Sequence, residues 1–421
     1  MTTLQEPEAM LASLPVTLLP GRIPDRTTWA GWDRWRRTRG DFRPVSLISQ
    51  ASYLQLKPRQ RRIYDLHRLA AHSNLLVQET PMSRIVAERL RTLIENNAWD
   101  YSPDTRPGMM INGGGAQGKT ATVCEVIAGF EDDWLELYAL DPQAVPGTRD
   151  LHAPVAYIRT PVRAAPISTC KRILDFYGED YKGMTLDDLV RTVEKAIYAH
   201  GTKALILDDI TRLKLHREAD QDVLDLIREL MSLPATLILV GVGIPTSGLL
   251  REGRKDPRTG QWVFPPVKDK GRSPNDEAAS QTDRRFDLLN LNAFNYDTPA
   301  GIAAWNAHLV GIEDQMRLLS GGEGMLTDGA MPEYLFARTN GVVGLLKKLI
   351  KAACHRAMLT GDECITETLL REITIDPADL SDLDAEAGEM PDIPAVDAPT
   401  PHRRGRNTVF DDKGPRDEAT A

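Results

Sequence analysis

The chain predicts an α/β protein: a parallel sheet with helices on both faces, a basic helical region before it and an all-helical unit after it. Three observations predict this. The short apolar segment Met109-Met110-Ile111 runs into the glycine-rich stretch Gly113-Gly114-Gly115-Ala116-Gln117-Gly118-Lys119-Thr120, and a helical pattern follows at once. Strand-length apolar runs then alternate with amphipathic helical stretches, as in βαβ units. After about Tyr296 the strands stop and four helical patterns follow.

Size and composition allow such a protein. A chain of 421 residues suggests two or three structural units and a sizeable core. No apolar run approaches the roughly 20 residues that span a bilayer. Residues 1–20 lack a basic start followed by a long apolar core, so no secretory signal is expected. Cys124, Cys170, Cys354 and Cys364 are scattered and make neither a disulfide framework nor a zinc ligand set. A reduced, cytoplasmic setting, nucleoid-associated and away from membranes, is the expectation. The net charge of −9 hides segregation. Between Arg22 and Arg62 eleven Lys/Arg stand against three Asp/Glu, whereas Asp376 to Asp397 holds eight acids and no base. Overall acidity therefore says little against a nucleic-acid partner.

Taken in order, residues 1–20 read as a loose leader and 21–105 as the basic helical region. In the latter, Ile63, Leu66, Leu69 and Ala70 mark one amphipathic face, and Val86, Leu90 and Leu93 another. Trp29, Trp32 and Trp35, three apart, suit core or partner contacts, and Arg34, Arg36, Arg37 and Arg39 around them are candidates for DNA. The segment 99–108 is turn-rich and leads into the core at 106–296. Strands are expected at Met109–Asn112, Val155–Arg159, Ala204–Leu207, Leu237–Val240 and Leu288–Leu291. The middle three are apolar runs without alternation, as when helices cover both sheet faces. Thr185 with Asp188 reads as a helix N-terminal box, and Val223, Leu226, Ile227 and Leu230 as the buried face of a further helix. A basic insertion spans about 246–282, with a possible hairpin around Thr259-Gly260; it reads either as a surface insertion or as a loop in which Trp262 and Phe264 lie on a nucleic-acid backbone. Helices at roughly Ala300–Leu319, Pro332–Thr339, Val342–Thr360 and Thr366–Ile373 fill a unit at 297–375. The tail at 376–421, rich in Asp, Pro and Ala, reads as disordered, with a possible docking motif around 402–413.

The glycine-rich stretch fits the phosphate-loop pattern G-x-x-x-x-G-K-[ST] in the strand–loop–helix context that the pattern requires. Backbone amides of Gly113, Gly114, Gly115, Ala116, Gln117 and Gly118 would close around phosphate oxygens, at the positive end of the following helix. Lys119 would reach the β- and γ-phosphates of ATP as a mobile point charge. Thr120 would offer its hydroxyl to Mg²⁺. The second key stretch, Ala204-Leu-Ile-Leu-Asp208-Asp209, is an apolar strand ending in two acids. Asp208 would hold Mg²⁺ through water, and Asp209 would orient the attacking water. Before the last strand, Asp283-Arg284-Arg285-Phe286 offers an arginine to the γ-phosphate of a neighbouring subunit; either Arg284 or Arg285 could serve, and both could instead be solvated.

Together these features resemble an AAA+ ATPase, and more narrowly the TniB/TnsC-type transposition ATPases, especially actinobacterial TniB-like proteins. The likeness covers about 45–375. It is carried by Tyr64-Asp65 with Arg68 and His72, by the loop Gly113–Thr120, by Leu207-Asp-Asp-Ile210, and by Gly341-Val-Val-Gly344 with its helix through Gly361. The resemblance implies a three-layer AAA+ core with a five-stranded parallel sheet and a helical lid. It implies ATP and Mg²⁺ binding, assembly as a homo-oligomeric ring or filament on double-stranded DNA, and recruitment or activation of an integrase-like transposase. A replication initiator or helicase loader, and a nucleotide-gated signalling or defence ATPase, are the alternatives built on the same core. Three departures stand out. Asp209 takes the place of the family's Glu and is one methylene shorter; Val240-Gly-Val-Gly-Ile-Pro245 shows no polar sensor; and Gly344 occupies the place of a lid arginine, with Lys347 or Lys348 nearby. Slow hydrolysis is the expectation.

Overall fold

The computed structural model describes residues 24–102, 104–140, 152–161, 165–210, 221–244 and 285–374, together with two short strands at 254–255 and 262–263. Four helices precede the sheet: α1 (Trp29–Thr38), α2 (Gln50–Gln55), α3 (Pro58–Ser73) and α4 (Pro81–Trp99). Each of α1, α2 and α4 starts at a hydroxyl cap (Thr28, Ser49 and Thr80), and proline opens α3 and α4, where its missing N–H costs nothing. The core then alternates: β1 (Gly108–Asn112), α5 (Lys119–Leu140), β2 (Val155–Arg159), α6 (Pro166–Tyr177), α7 (Leu186–Ala199), β3 (Ala204–Asp208), α8 (Gln221–Met231) and β4 (Thr236–Gly241). The Thr185–Asp188 box caps α7 as expected, with Asp188 N donating to Thr185 Oγ1 at 3.3 Å.

A two-residue antiparallel pair, β5 (Arg254–Lys255) with β6 (Trp262–Val263), lies within the basic insertion; the remainder of 246–282 is outside the described residues. β7 (Phe286–Asn290) completes the main sheet, whose order is β2-β3-β4-β1-β7, all parallel. β2, β3 and β4 are buried almost throughout, which explains their unbroken apolar runs; β7, at one edge, buries only Phe286 and Leu289. The register sets Arg159 beside Asp208, and Asn112 beside both Gly241 and Asn290. The C-terminal ends of the strands therefore share one edge, where α/β sheets place their sites.

The helical unit comprises α9 (Pro299–Glu313), α10 (Met331–Thr339), α11 (Val343–Thr360) and α12 (Glu367–Arg371). It has its own core, including Leu309, Phe336, Leu346 and Ile350. α9 stops at Glu313, short of the expected Leu319, and Glu313 instead accepts backbone N–H bonds from Gly324 and Leu326. All four cysteines are free, as their spacing implied. No helix among the described residues is long and apolar enough to cross a membrane.

Two expectations for the basic region need correction. The buried face of α3 is not Ile63–Leu66–Leu69–Ala70; Leu66 is exposed, and Tyr64, Arg68, Ala71 and His72 point inward. The reason is a polar joint. Arg68 donates to both carboxylate oxygens of Glu363 (2.6 and 2.9 Å) and to Asp65 (2.6 Å), and His72 Nε2 accepts from Arg317 N (2.8 Å). Nor are the arginines of α1 a wholly free basic strip: Arg34 is exposed, but the other three are paired. Arg36 pairs with Asp33 and Asp132, Arg39 with Asp132 and Glu125, and Arg37 with Asp33. Trp32 is fully buried and donates its indole N–H to Glu131 on α5. These side chains fasten α1 to the core. The tail from 375 onward lies outside the described residues.

Candidate functional site

The loop between β1 and α5 packs under tight limits. A Cβ on Gly113 would stand 2.4 Å from Leu291 O, so only glycine lets the loop pass β7 here. Ala116 adopts φ +60, and Gln117 folds its side-chain oxygen back onto the Gly114 N–H. Lys119 is buried in the first turn of α5, with its ammonium 2.8 Å from Gly113 O and 2.6 Å from Gly114 O. Among the described residues no carboxylate comes within ion-pair distance of it. Burial pulls the Lys119 pKa below its ordinary value, and the nearby Asp208 and Asp209 only partly offset this. A desolvated cation held by neutral carbonyls favours an anion beside it.

Across from the loop, Asp208 ends β3 and is buried. Its Oδ2 accepts from Thr120 Oγ1 (2.8 Å) and from the Tyr157 hydroxyl (2.6 Å), and its Oδ1 accepts from Asp209 N (2.9 Å). Burial, and then Asp208 itself, push the Tyr157 pKa well above the usual phenol range, so the phenol stays a donor. Asp209 turns left-handed (φ +57) and its carboxylate accepts from Arg159 Nε at 3.1 Å. Strand order explains why these residues meet. β2 and β3 are neighbours, so Tyr157 and Arg159 flank the two acids.

The structure thus brings together the loop, Lys119, Thr120, Asp208 and Asp209. It does not bring Arg285 to them. Arg285 is exposed just before β7, whose start pairs with Gly108 at the opposite edge of the sheet. The intervening strand β1, at about 3.3 Å per residue, holds it well over 10 Å from its own loop. Arg284 lies outside the described residues.

Several residues at this edge were not singled out from the sequence. Tyr157 and Arg159 sit in or at the end of an apolar run. Asn112, immediately before the glycines, accepts from Ile244 N (3.0 Å) and donates to Asn290 Oδ1 (2.8 Å). Both amides stand at the C-terminal edge of the sheet, beside the loop. The lid reaches the loop through Gly344, whose N–H donates to Ala116 O at 2.9 Å. Lys347 is committed elsewhere, donating to Leu75 O at 2.6 Å. Beside α5 opens a cleft of about 890 Å³, whose walls include Thr122, Val126, Leu76, Val77, Phe42 and Lys347.

The donor set suits Mg²⁺. Among the described residues no cluster of three His, Cys, Asp or Glu forms a protein cage. One hydroxyl and one carboxylate in contact match instead the sparse oxygen ligation that Mg²⁺ accepts alongside phosphate oxygens and water.

No protein-family model matches the chain, and no curated protein sequence matches it. Among solved structures it is similar to the Aeropyrum pernix ORC2 protein in its ADPNP-ADP complexes (15% identity over 74% of this chain and 73% of that one, TM-score 0.46). It is also similar to the Aeropyrum pernix ORC1 protein in complex with DNA (14%, 72% and 68%, TM-score 0.47) and to Drosophila ORC bound to DNA (13%, 82% and 72%, TM-score 0.41). At these values the likenesses carry no argument of their own. The P-loop AAA+ arrangement stands on the strand order, the loop after β1, the acid at the end of β3 and the helical lid.

Proposed function

We propose that the chain is an ATP-binding, slowly ATP-hydrolysing regulator of transposition, which assembles on double-stranded DNA and recruits or activates an integrase-like transposase. The observation that carries the nucleotide part is the pairing of Lys119, held on two loop carbonyls, with the Thr120–Asp208 contact opposite. The amides of 113–118 bind phosphate oxygens. Lys119 exchanges its carbonyl partners for the β- and γ-phosphates. Thr120 and Asp208 hold Mg²⁺, which when bound neutralises charge on the phosphates. Tyr157 keeps the Asp208 carboxylate oriented. Asp209 positions the attacking water, and its ion pair with Arg159 and its short side chain both slow that step. The apolar side of the cleft against Thr122 and Val126 takes the nucleobase.

Arg285, on the far edge of the sheet, is placed to serve only a neighbouring subunit's nucleotide, and in that role it ties hydrolysis to assembly. With Arg36, Arg37 and Arg39 of α1 paired with acids, the duplex is met by the exposed Arg34, by Lys57, Arg59 and Arg62 around the start of α3, and by the basic insertion. The transposition reading rests on the resemblance at 45–375.

Mass photometry with Mg²⁺-ATP and duplex DNA tests this. We expect oligomers that need both ligands and dissolve steeply with salt, while Lys119→Ala stays monomeric. Monomers at every salt concentration would overturn the assembly mechanism. Arg284→Ala and Arg285→Ala should both bind ATP, and one should lose on the order of 10³-fold in turnover; normal turnover in both removes the arginine finger.

A further inference from the structure

Tyr157 holds Asp208 through its hydroxyl, and the side chains that hold Tyr157 come from the N-terminal segment. β2 is an edge strand, paired with β3 alone among the described residues. Tyr157 is nevertheless only 4% exposed. Trp32 of α1 stacks on its ring, with centroids 5.9 Å apart and planes 15° from parallel. The guanidinium of Arg26, just before α1, lies 5.3 Å from the centroid of the same ring and 5.1 Å from that of Trp35.

α1 depends on these contacts. A ten-residue helix is marginal in water on its own, so docking is what orders it. Trp32 donates to Glu131 of α5, and Arg36 and Arg39 pair with Asp132 of the same helix. Trp29 and Trp35, one turn to either side of Trp32, pack partly buried against the same core. Docking α1 therefore sets an aromatic face and a cation on the Tyr157 ring together.

The far end of that ring is in the nucleotide site. The Tyr157 hydroxyl donates to Asp208 Oδ2 (2.6 Å), the oxygen that also accepts from Thr120 Oγ1 (2.8 Å), while Asp208 Oδ1 accepts from Asp209 N (2.9 Å). A phenol whose two side-chain torsions are already fixed by packing loses little entropy in holding that carboxylate. Partners of this kind, one step removed from a metal, orient its ligands and raise affinity. We propose that Trp32 and Arg26 are positioning residues of the Mg²⁺ site: α1, docked on Tyr157, orients the Asp208 carboxylate, so that docking of this helix and Mg²⁺ binding favour each other. The inference rests on the reading of Asp208 as a Mg²⁺ ligand.

Mg²⁺ titration of the full chain with N-methylanthraniloyl-ATP, read by the fluorescence of the nucleotide, tests it. Tyr157→Phe keeps the ring for Trp32 and Arg26 and removes only the hydroxyl. It should need about tenfold more Mg²⁺ for half-maximal tightening of nucleotide binding, with the metal-free affinity unchanged. Arg26→Ala and Trp32→Leu should each need about threefold more in the parent background. In the Tyr157→Phe background they should need no more, because their effect passes through the hydroxyl. Arg26 is partly exposed, so its loss spares the fold. By reciprocity, Mg²⁺ added to the ATP-bound chain should slow amide hydrogen exchange across 29–38, and Tyr157→Phe should lose that slowing. A helix that only packs against the core would show none of these Mg²⁺-dependent changes. If the parent binds the nucleotide no better with Mg²⁺ than without it, the nucleotide reading and this inference fall together. If the parent responds to Mg²⁺ but Tyr157→Phe needs no more of it, or Arg26→Ala acts equally in both backgrounds, this inference alone is overturned.

Discussion

Lys119 and Arg68 are both buried cations, and they are partnered in opposite ways. Arg68, where α3 meets the lid, is held by Glu363 and Asp65. Burial opposes its charge, but those carboxylates more than offset the penalty and its pKa is raised. Lys119, in the phosphate loop, has only carbonyl partners, and its pKa is lowered. The first cation is part of the joint that holds the molecule together. The second is stabilised only weakly by the protein and gains most from an incoming anion. A buried charge thus reveals its use by what neutralises it.

The largest expected effect breaks this contrast at the joint. Arg68→Met leaves Glu363 buried without its partner, which should cost about 3–5 kcal/mol in urea unfolding. Lys119→Met removes a poorly compensated charge. It should shift unfolding by less than about 1 kcal/mol while abolishing the stabilisation that Mg²⁺-ATP gives the parent chain. If the two variants lose similar stability, or if Lys119→Met still responds to ATP, the contrast is wrong.

Acid should loosen the same joint. His72 is buried between Arg68 and Arg317, and burial first, then those two cations, push its pKa down to about 4. His308, buried in the lid, is also pushed down to about 4 by burial. Both are neutral in the fold and titrate near 6.5 when unfolded. Stability is therefore fully present above pH 6.5, falls as the pH drops toward 4, and changes no further from these groups below it. Each histidine contributes on the order of 3 kcal/mol to that fall. His72→Gln keeps an acceptor for the Arg317 N–H and cannot titrate, so urea unfolding from pH 7 to 4 should show a shallower decline. An unchanged decline would mean that His72 is not neutral in the fold.

These effects also mark where sequence reading stops. The loop, the paired acids and the five strands were legible because each is local: a glycine pattern, an apolar run, a run ending in carboxylates. The inward face of α3 was not, because Arg68 is buried only by virtue of Glu363, 295 residues away along the chain. Arg36 and Arg39 of α1 read as part of a nucleic-acid strip for the same reason, since Asp132 lies on a distant helix. Tyr157 and Asn112 carried a weak signal, a polar tip in an apolar strand and an amide just before the glycines. What they do depends on strand order, and no local pattern encodes that β2 neighbours β3 or that β1 lies between β4 and β7.

The smallest effect sharpens the comparison by joining its two halves. α11 begins at the phosphate loop, where Gly344 N meets Ala116 O, and ends beside Glu363, the partner of Arg68. A Cβ at Gly344 would lie 2.5 Å from Ala116 O and 2.7 Å from Ala116 Cβ, so either the lid or the loop must move. Overpacking of this kind costs about 1–3 kcal/mol when it cannot be relieved. Here it can be, because the lid keeps its own core and its Arg68 clamp and can tilt away from the loop as a unit. Gly344→Ala should therefore cost less than about 1 kcal/mol in urea unfolding, while ATP binding weakens about tenfold, or about 1.4 kcal/mol. If the loss appears in unfolding and ATP affinity is unchanged, the lid touches the loop without reporting on it, and the Arg68 joint and the Lys119 site are independent.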